Sequence, residues 1–333
     1  MNTVLPPYYH PTTVCFVDDN YSFLHSIGMD LPDDWSFISF VHPEEALAFI
    51  NQPQPMPPLA DRCFSMDHSD PSTPLIRLDL AALEQEIKLV DRFRRVSVLL
   101  VDYAMPTMNG LEFCEQVADT DIKKALLTGV ADEKTAVEAF NRNLIDRYIP
   151  KASLASMNNV IPHVNALKTA YFDQYTNRLC TNLALNPPAF MTDPNIRPVF
   201  DALLKQHDIV EYYLVANPYG YLMLRADGSM LRLIVLCQAE LDAQAALADR
   251  HGAPAPLLAQ LRSGRAVGYF MEHPRDYMGH EAYPWAEMVV PAQTVQGAQT
   301  WYLGTVADPP ADIDFDPSAS SYARFLDMDK PQV

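Results

Sequence analysis

Short apolar runs alternate with amphipathic stretches through the first half of the chain. Apolar runs of this length, bounded by turn residues, are typical of strands buried on both faces of a parallel sheet. Strands that alternate with helices predict a doubly wound α/β fold with a five-stranded parallel sheet and right-handed connections. The predicted strands are Thr13–Val17, Phe37–Val41, Val96–Val101, Lys124–Gly129 and Leu144–Lys151.

The third run delivers a single carboxylate. Val96 to Val101 is apolar apart from Ser97 and stops at Asp102, and Pro106 with the pair Asn109-Gly110 supplies turn residues that cannot continue a strand. Leu111 then begins a helical spacing of apolar residues. In open α/β sheets, ligands bind at the carboxyl ends of the strands. We therefore expect Asp102 at the functional edge of the sheet.

Helices are predicted between these strands. Asn20 is a candidate N-cap for a helix at 21–29, and Pro43 opens the next. Further helices are expected at 132–141 and at 153–175, where Pro162 predicts a kink. An insertion at about 53–95 interrupts the alternation of strands and helices. Its proline-rich part, 53–77, predicts a surface excursion without elements. A helix with apolar residues at heptad-like spacing follows, and it either packs over its own domain or serves as a dimer or docking helix.

The second half has a different pattern. The proline-containing stretch at 182–194 is the best boundary, and a helix at 195–206 follows it. Beyond it come three strands, two helices and three more strands, which predict an α+β domain with an antiparallel sheet, loosely similar in element order to PAS-type sensory modules. The predicted domains are 1–180, 190–310 and an acidic tail at 311–333 with a short helix at 320–326.

Charge and composition restrict the function. The 333 residues suit two domains, and the net charge of −18 opposes DNA binding, as do 18 acidic against 10 basic residues from position 187 onward (10 − 18 = −8). No apolar run approaches the ~18 residues that span a bilayer, and no signal pattern opens the chain, so we expect a cytoplasmic protein without membrane contact. The five cysteines lack the spacing of a zinc site.

Polar side chains follow four of the predicted strands. Asp18 and Asp19 end the first, Asp102 the third, Thr128 the fourth and Lys151 the fifth. Three carboxylates at one edge repel one another and call for a cation, and hard oxygen ligands suit Mg²⁺. A lysine and a hydroxyl beside them can bind phosphoryl oxygens. Asp102 is then the nucleophile of a phosphoryl transfer.

These segments resemble the receiver domain of two-component response regulators, a CheY-like, flavodoxin-like fold, over about residues 12–175. The resemblance implies that Asp102 accepts the phosphoryl group from a sensor histidine kinase or a phosphotransfer protein. It implies that Thr128 and Lys151 contact that group and that Tyr148 moves inward on activation. By the same resemblance, Mg²⁺ is held by Asp18, Asp19, Asp102 and the backbone carbonyl of Ala104.

The sequence departs from the family in three places. One is the insertion at 53–95. A second is Ala152, where the family usually has a proline. The third is the apolar character of Ala104 and Val130, positions that help to place the attacking water in the family, so slow self-dephosphorylation is expected.

The output of the second half stays open. The favoured interpretation is a non-DNA-binding domain that binds protein or a small ligand. The alternatives are an enzyme, a hydrolase or signalling-nucleotide enzyme that uses the region of His273 and His280, and a receiver that signals without phosphorylation. The histidine spacing fits no standard metal motif, which favours a polar loop, and the aromatics at strand positions favour a core over a pocket. The helix at 153–175 is open to two uses, transmission to the second half or pairing of two protomers as a homodimer.

Overall fold

A computed structural model describes residues 4–53, 57, 59, 62, 64–67, 75–78, 80–129, 140, 142–152, 157–181, 188–215, 218–270, 284–309 and 315–329. Its strands, in chain order, are β1 (Tyr8–Tyr9), β2 (Thr13–Val17), β3 (Phe37–Phe40), β4 (Phe64–Asp67), β5 (Leu75–Leu78), β6 (Val96–Asp102), β7 (Lys123–Thr128), β8 (Arg147–Pro150), β9 (Ile209–Val215), β10 (Gly220–Arg225), β11 (Met230–Cys237), β12 (Ala266–Gly268), β13 (Val289–Pro291), β14 (Gln293–Gln296) and β15 (Thr300–Ala307). Its α-helices are α1 (Tyr21–Asp30), α2 (Pro43–Ile50), α3 (Leu80–Lys88), α4 (Gly110–Gln116), α5 (Met157–Thr181), α6 (Ile196–Gln206), α7 (Gln238–Arg250), α8 (Ala255–Arg262), α9 (Pro317–Ser320) and α10 (Tyr322–Asp329).

The chain forms two compact units. The parallel-sheet unit consists of Pro11–Arg62, Leu89–Arg178 and Arg324–Val333. The antiparallel-sheet unit consists of Met1–His10, Cys63–Lys88 and Leu179–Ala323. The domains predicted from the sequence ran along the chain without interleaving, so the two divisions differ for residues 1–10, for 63–88 and for the end of the chain.

The parallel-sheet unit has the predicted doubly wound architecture. Its five strands pair in the order β3-β2-β6-β7-β8, and every pair is parallel. β6 occupies the centre and is buried along its whole length. This confirms the five-stranded α/β fold, and it places the carboxyl ends of β2, β6, β7 and β8 along one edge.

Alternation along β6 explains why helices cover both faces of this sheet. Val98 and Leu100 face the cluster that includes residues of α1 and α5, and Leu99 and Val101 face the cluster that includes residues of α2 and α4. A strand that is buried on both faces has no side that faces solvent, so its sequence is apolar at successive positions.

The helix predicted at 153–175 is present and extends beyond its predicted end. α5 begins at Met157 and continues to Thr181, with Pro162 inside it. The predicted helix at 132–141 lies almost entirely outside the described residues. α1 begins where predicted, because the Asn20 side chain accepts a hydrogen bond from the backbone N–H of Phe23 at 3.1 Å.

The antiparallel-sheet unit has a six-stranded sheet of order β1-β9-β10-β11-β15-β14 and two smaller two-stranded sheets, β12-β13 and β4-β5. Three strands, two helices and then further strands follow one another, which confirms the α+β prediction. Tyr212, Tyr221 and Trp301 lie buried in the core on one face, beside α6. These three aromatic residues therefore form core, as favoured from the sequence, whereas Tyr219, in the turn before β10, is exposed. α7 and α8 cover the other face.

Some strands of this unit were not predicted. Residues 1–12 were expected to be a loose lead-in, but β1 pairs with β9, with Tyr8 opposite Tyr213. The stretch 53–77 was expected to lack elements, but β4 and β5 pair as an antiparallel ribbon. β14 was also missed. These strands have only two to four residues each, too few for a periodic signal, and the partner of β1 also lies far away in the sequence.

The predicted acidic tail contains two helices, α9 and α10, within its described residues 315–329. The short helix expected at 320–326 is present as α10, and Phe325 is buried with its ring centroid 5.4 Å from that of Phe93. Across the described part of the chain, no helix has both the length and the apolar character needed to cross a bilayer.

Candidate functional site

Three carboxylates meet at the carboxyl edge of the parallel sheet. Asp18 directly follows β2, and Asp102 is the last residue of β6, the strand beside it. Asp18 and Asp102 are 0% and 4% exposed, whereas Asp19 is exposed. One oxygen from each of the three lies within 4.8 Å of the others. The sheet therefore builds the acidic cluster that the sequence predicted.

Lys151 joins this cluster from the end of β8. Its Nζ lies 2.7 Å from Asp18 Oδ2 and 2.9 Å from Asp102 Oδ2. Burial lowers the pKa of Lys151, but hydrogen bonds and charges from Asp18 and Asp102 outweigh it and raise that pKa. For Asp18 burial dominates and raises the pKa, against the opposing contacts of Lys151 and of the Asn20 amide. The lysine thus stays charged between two buried carboxyl groups.

The start of α1 orients Asp18. The backbone N–H of Asn20 donates to Asp18 Oδ1 at 3.0 Å, while the Asn20 side chain caps the helix. The Phe23 ring lies 4.9 Å from Lys151 Nζ, a cation–π distance. Phe23 was not identified from the sequence. Its position could have been inferred, because Phe23 lies three residues after the N-cap, in the first turn of a helix that starts at the site.

The loop after Asp102 is closed by backbone contacts. The N–H of Tyr103 donates to the carbonyl of Leu127 at 2.8 Å, and the N–H of Gly110 donates to the carbonyl of Tyr103 at 3.0 Å. Asn109 caps α4 and forms a capping box with Glu112. Ala104 lies in this loop with an exposed side chain. The turn residues read from the sequence therefore fold the chain back on itself beside Asp102.

Thr128 ends β7 at the same edge. Its neighbours in register are residues of β8, with Thr128 opposite Pro150, while Leu127 lies opposite Asp102. The side chain is buried, and Oγ1 makes no hydrogen bond to any residue that the structure describes. Because an unsatisfied buried hydroxyl is costly, such an atom at a site edge indicates a group that binds there.

The remaining predicted residues have different placements. Tyr148 lies half-buried on β8, opposite Leu126 and three residues before Lys151. Val130 lies outside the described residues, as do His273 and His280 with their acidic neighbours Glu272, Asp276 and Glu281.

The donor set determines what this edge can bind. Three clustered carboxylates supply the hard oxygen ligands that suit a small divalent cation of the Mg²⁺ class. Lys151 adds a charged hydrogen-bond donor, and the Thr128 hydroxyl, which has no partner among the described residues, adds a neutral one. The strand ends thus bring together carboxylates, an ammonium group and a hydroxyl. These are groups that can carry out and stabilise phosphoryl transfer.

Comparison with known proteins gives a solved structure that spans nearly the whole chain. The response regulator LqsR of Legionella pneumophila is 31% identical, with a TM-score of 0.78 over 98% of this chain and 97% of that chain. The adenylate cyclase of Rhodopirellula baltica is 24% identical, with a TM-score of 0.35 over 50% of this chain and 94% of that chain. A CheY-like response regulator receiver domain protein of Methanospirillum hungatei JF-1 is 17% identical, with a TM-score of 0.33 over 49% of this chain and 98% of that chain. No protein-family model matches the chain, and no curated protein matches it. The likeness to LqsR extends over both units.

Proposed function

This chain belongs to the response regulators of two-component signalling, and from that premise we propose that it accepts a phosphoryl group on Asp102 from a sensor histidine kinase or a phosphotransfer protein. The observation that carries the proposal is the position of Lys151, whose Nζ lies within 3 Å of carboxylate oxygens of both Asp18 and Asp102. A buried aspartate at a strand end, beside a lysine, has the environment that an aspartyl phosphate needs.

The transfer is a displacement at phosphorus. A carboxylate oxygen of Asp102 attacks the phosphorus of a phosphohistidine, a P–O bond forms, and the P–N bond breaks with its electron pair going to the imidazole. With acetyl phosphate as donor, the P–O bond to acetate breaks instead. The product on the protein is an acyl phosphate, and water later attacks its phosphorus and restores the carboxylate.

Lys151 and Thr128 stabilise the transferred group. Nζ of Lys151 lies beside Asp102 in the unphosphorylated protein and can pair with a phosphoryl oxygen once that oxygen is attached there. The Oγ1–H of Thr128 donates to a second phosphoryl oxygen, which would satisfy a hydroxyl that has no partner among the described residues. Both contacts favour the charge that develops in the transition state.

A magnesium ion fits the acidic side of the site. Asp18, Asp19 and Asp102, whose oxygens lie together, would hold it. By the resemblance to the receiver family, the backbone carbonyl of Ala104 would be a further ligand. Bound Mg²⁺ supplies positive charge that neutralises the carboxylates and the incoming phosphoryl oxygens. Burial of Asp18 and Asp102 makes this neutralisation worth more than it would be in water.

The signal passes from this site to the rest of the chain. Tyr148, half-buried on β8 near Lys151, is the proposed switch residue that moves inward on phosphorylation. The antiparallel-sheet unit is the output domain. Its partner is a protein or a small ligand rather than DNA, because the unit has 21 acidic and 10 basic residues, a net charge of 10 − 21 = −11 that opposes phosphate contacts. We place the protein in the cytoplasm, where histidine kinases deliver phosphoryl groups.

Incubation with acetyl phosphate and Mg²⁺, followed by intact mass measurement, tests the proposal. We expect one phosphate adduct on the native protein, and none on Asp102→Asn or when EDTA removes the metal. The Asp102→Asn side chain keeps the size of the original, so its fold can be checked by circular dichroism. A folded native protein without adduct, from acetyl phosphate and from a histidine-phosphorylated donor alike, would contradict the proposal.

A further inference from the structure

The antiparallel-sheet unit contains a cavity of about 310 Å³. It lies between α7, the end of β11 and the turn that precedes β10. A volume of this size accommodates a small organic molecule, and binding sites of that kind are mostly apolar with a few polar groups. The lining residues that carry the inference are Tyr219, Leu236, Gln244, Leu247, Arg250 and Phe270.

One face of α7 forms a wall of the cavity. Glu240, Ala243, Gln244, Leu247 and Arg250 all line it. Their spacing of three or four residues places them on one side of a helix. The wall therefore runs from an acidic residue near the start of α7 to a guanidinium at its end.

Most polar groups of this wall are already engaged. Gln244 donates from Nε2 to the carbonyl of Gly268 and accepts from the N–H of Gly268 at Oε1, both at 2.8 Å. Glu240 Oε2 accepts from the N–H of Cys237 at 2.7 Å. These contacts fix the shape of the cavity and leave few groups free to select a ligand.

Arg250 is different. It makes no ion pair or hydrogen bond with any residue in the described ranges, although its neighbour Asp249 pairs with Arg262 at 2.7 Å. Leu247 and the buried side chains of Leu236 and Phe270 provide an apolar surface beside it. An unpaired guanidinium at the end of an apolar cavity is complementary to a carboxylate on an apolar body.

We propose that this cavity binds a small carboxylic acid with an aryl or short acyl body, whose carboxylate pairs with Arg250 and whose body packs against Leu247 and Phe270. The inference develops the part of the proposed function that assigns ligand binding to the output domain. It does not depend on the chemistry at Asp102, because no residue of the cavity belongs to the phosphorylation site.

Isothermal titration calorimetry of the full chain tests this site, with 4-phenylbutyrate and octanoate as probes and 4-phenylbutan-1-ol as the uncharged comparison. We expect at least one of the two acids to bind, with an affinity about tenfold or more above that of the alcohol. The difference comes from the one charged contact between the carboxylate and Arg250, which the alcohol cannot make. Arg250→Gln should lose that advantage. Arg265→Gln, an exposed arginine that does not line the cavity, should keep it.

Leu247→Trp fills the cavity and should abolish binding of the acid, with circular dichroism as the check on its fold. Equal affinity for acid and alcohol, or an unchanged affinity in Arg250→Gln, would overturn the assignment of Arg250. Absence of binding for both acids would overturn the ligand class. Asp102→Asn should bind the acid like the native protein, so a failure of phosphorylation and a failure of this site are separately visible.

Discussion

A Cβ atom on Gly110 would lie 2.4 Å from the backbone carbonyl oxygen of Asp102. The same atom would lie 2.8 Å from Cδ1 of the buried Leu126. The first residue of α4 therefore passes directly against the backbone of the proposed phosphoacceptor. The φ angle of Gly110 is not in the left-handed region, so backbone conformation does not require glycine here. Glycine is required because a side chain has no room.

We expect Gly110→Ala to destabilise the protein by about 1–3 kcal/mol, the usual cost of overpacking a closely packed site. The backbone atoms of Asp102 cannot rotate away as a flexible side chain would, so the helix or the strand end must shift. Urea unfolding measures the change. Gly129→Ala is the matched control, because a Cβ there has no atom of the described residues within 4 Å, and its cost should stay within about 0.5 kcal/mol. Equal stability of Gly110→Ala and native protein would contradict the expectation.

The arrangement of the site was predictable because it follows from the sheet. Asp18, Asp102 and Lys151 each stand directly at a strand end, and parallel strands bring their carboxyl ends to one edge. The apolar runs that predict these strands are strong because the strands are buried on both faces. The sequence pattern therefore predicts both the strands and the meeting of the charged residues at one edge of the sheet.

Other features depend on contacts that no local pattern contains. Tyr8 pairs with Tyr213, about two hundred residues further along the chain, and that pairing rather than local propensity makes residues 8–9 a strand. The contact of Phe23 with Lys151 likewise depends on how α1 leaves β2. The same holds for residues 63–88, whose assignment to the antiparallel-sheet unit is a tertiary property.

Thr128→Val should have opposite effects on stability and on function. Valine has nearly the shape of threonine but lacks the buried hydroxyl that has no partner among the described residues, so we expect the free energy of unfolding to rise by about 1 kcal/mol. Adduct formation from acetyl phosphate should slow by about tenfold or more, because a hydrogen bond to a charged phosphoryl oxygen is lost. Urea unfolding and the time course of intact mass measure the two effects.

Thr128→Ser is the control for this pair of effects, because it keeps the hydroxyl. It should react at close to the native rate while losing some stability with the deleted methyl group. A Thr128→Val protein that accepts phosphate at the native rate would show that the hydroxyl has no part in the transfer.

Lys168 should make stability rise with pH in the alkaline range. Its side chain is 7% exposed, with Nζ 3.9 Å from the centroid of the Trp35 ring. Burial lowers the pKa of Lys168 from its ordinary value of 10.5 to about 8, against the opposing charge of Asp34. Between these two pH values the unfolded chain holds a proton that the folded protein has released. Stability therefore increases with pH across this window, by up to about 3 kcal/mol, and is flat with respect to this group below it.

Urea unfolding at several pH values from 7 to 10 measures this rise, and the difference between native protein and Lys168→Met isolates it from other titrating groups. Methionine fills a similar space without a charge, so the variant should be the more stable protein at pH 7 and lose this advantage toward pH 10. A difference that does not change with pH would mean that Lys168 keeps its proton in the folded protein throughout.

Ala104→Asn should shorten the lifetime of the aspartyl phosphate. Ala104 lies two residues after Asp102 with an exposed side chain, so an amide there can reach the water that attacks the phosphorus without disturbing the core. Positioning of that water should accelerate hydrolysis by about tenfold. The protein is loaded with acetyl phosphate, freed of donor by desalting, and followed by intact mass. Ala104→Leu, of similar size but without hydrogen-bonding groups, should not accelerate the loss. Equal decay of native protein and Ala104→Asn, or equal acceleration by both substitutions, would show that position 104 does not control the attacking water.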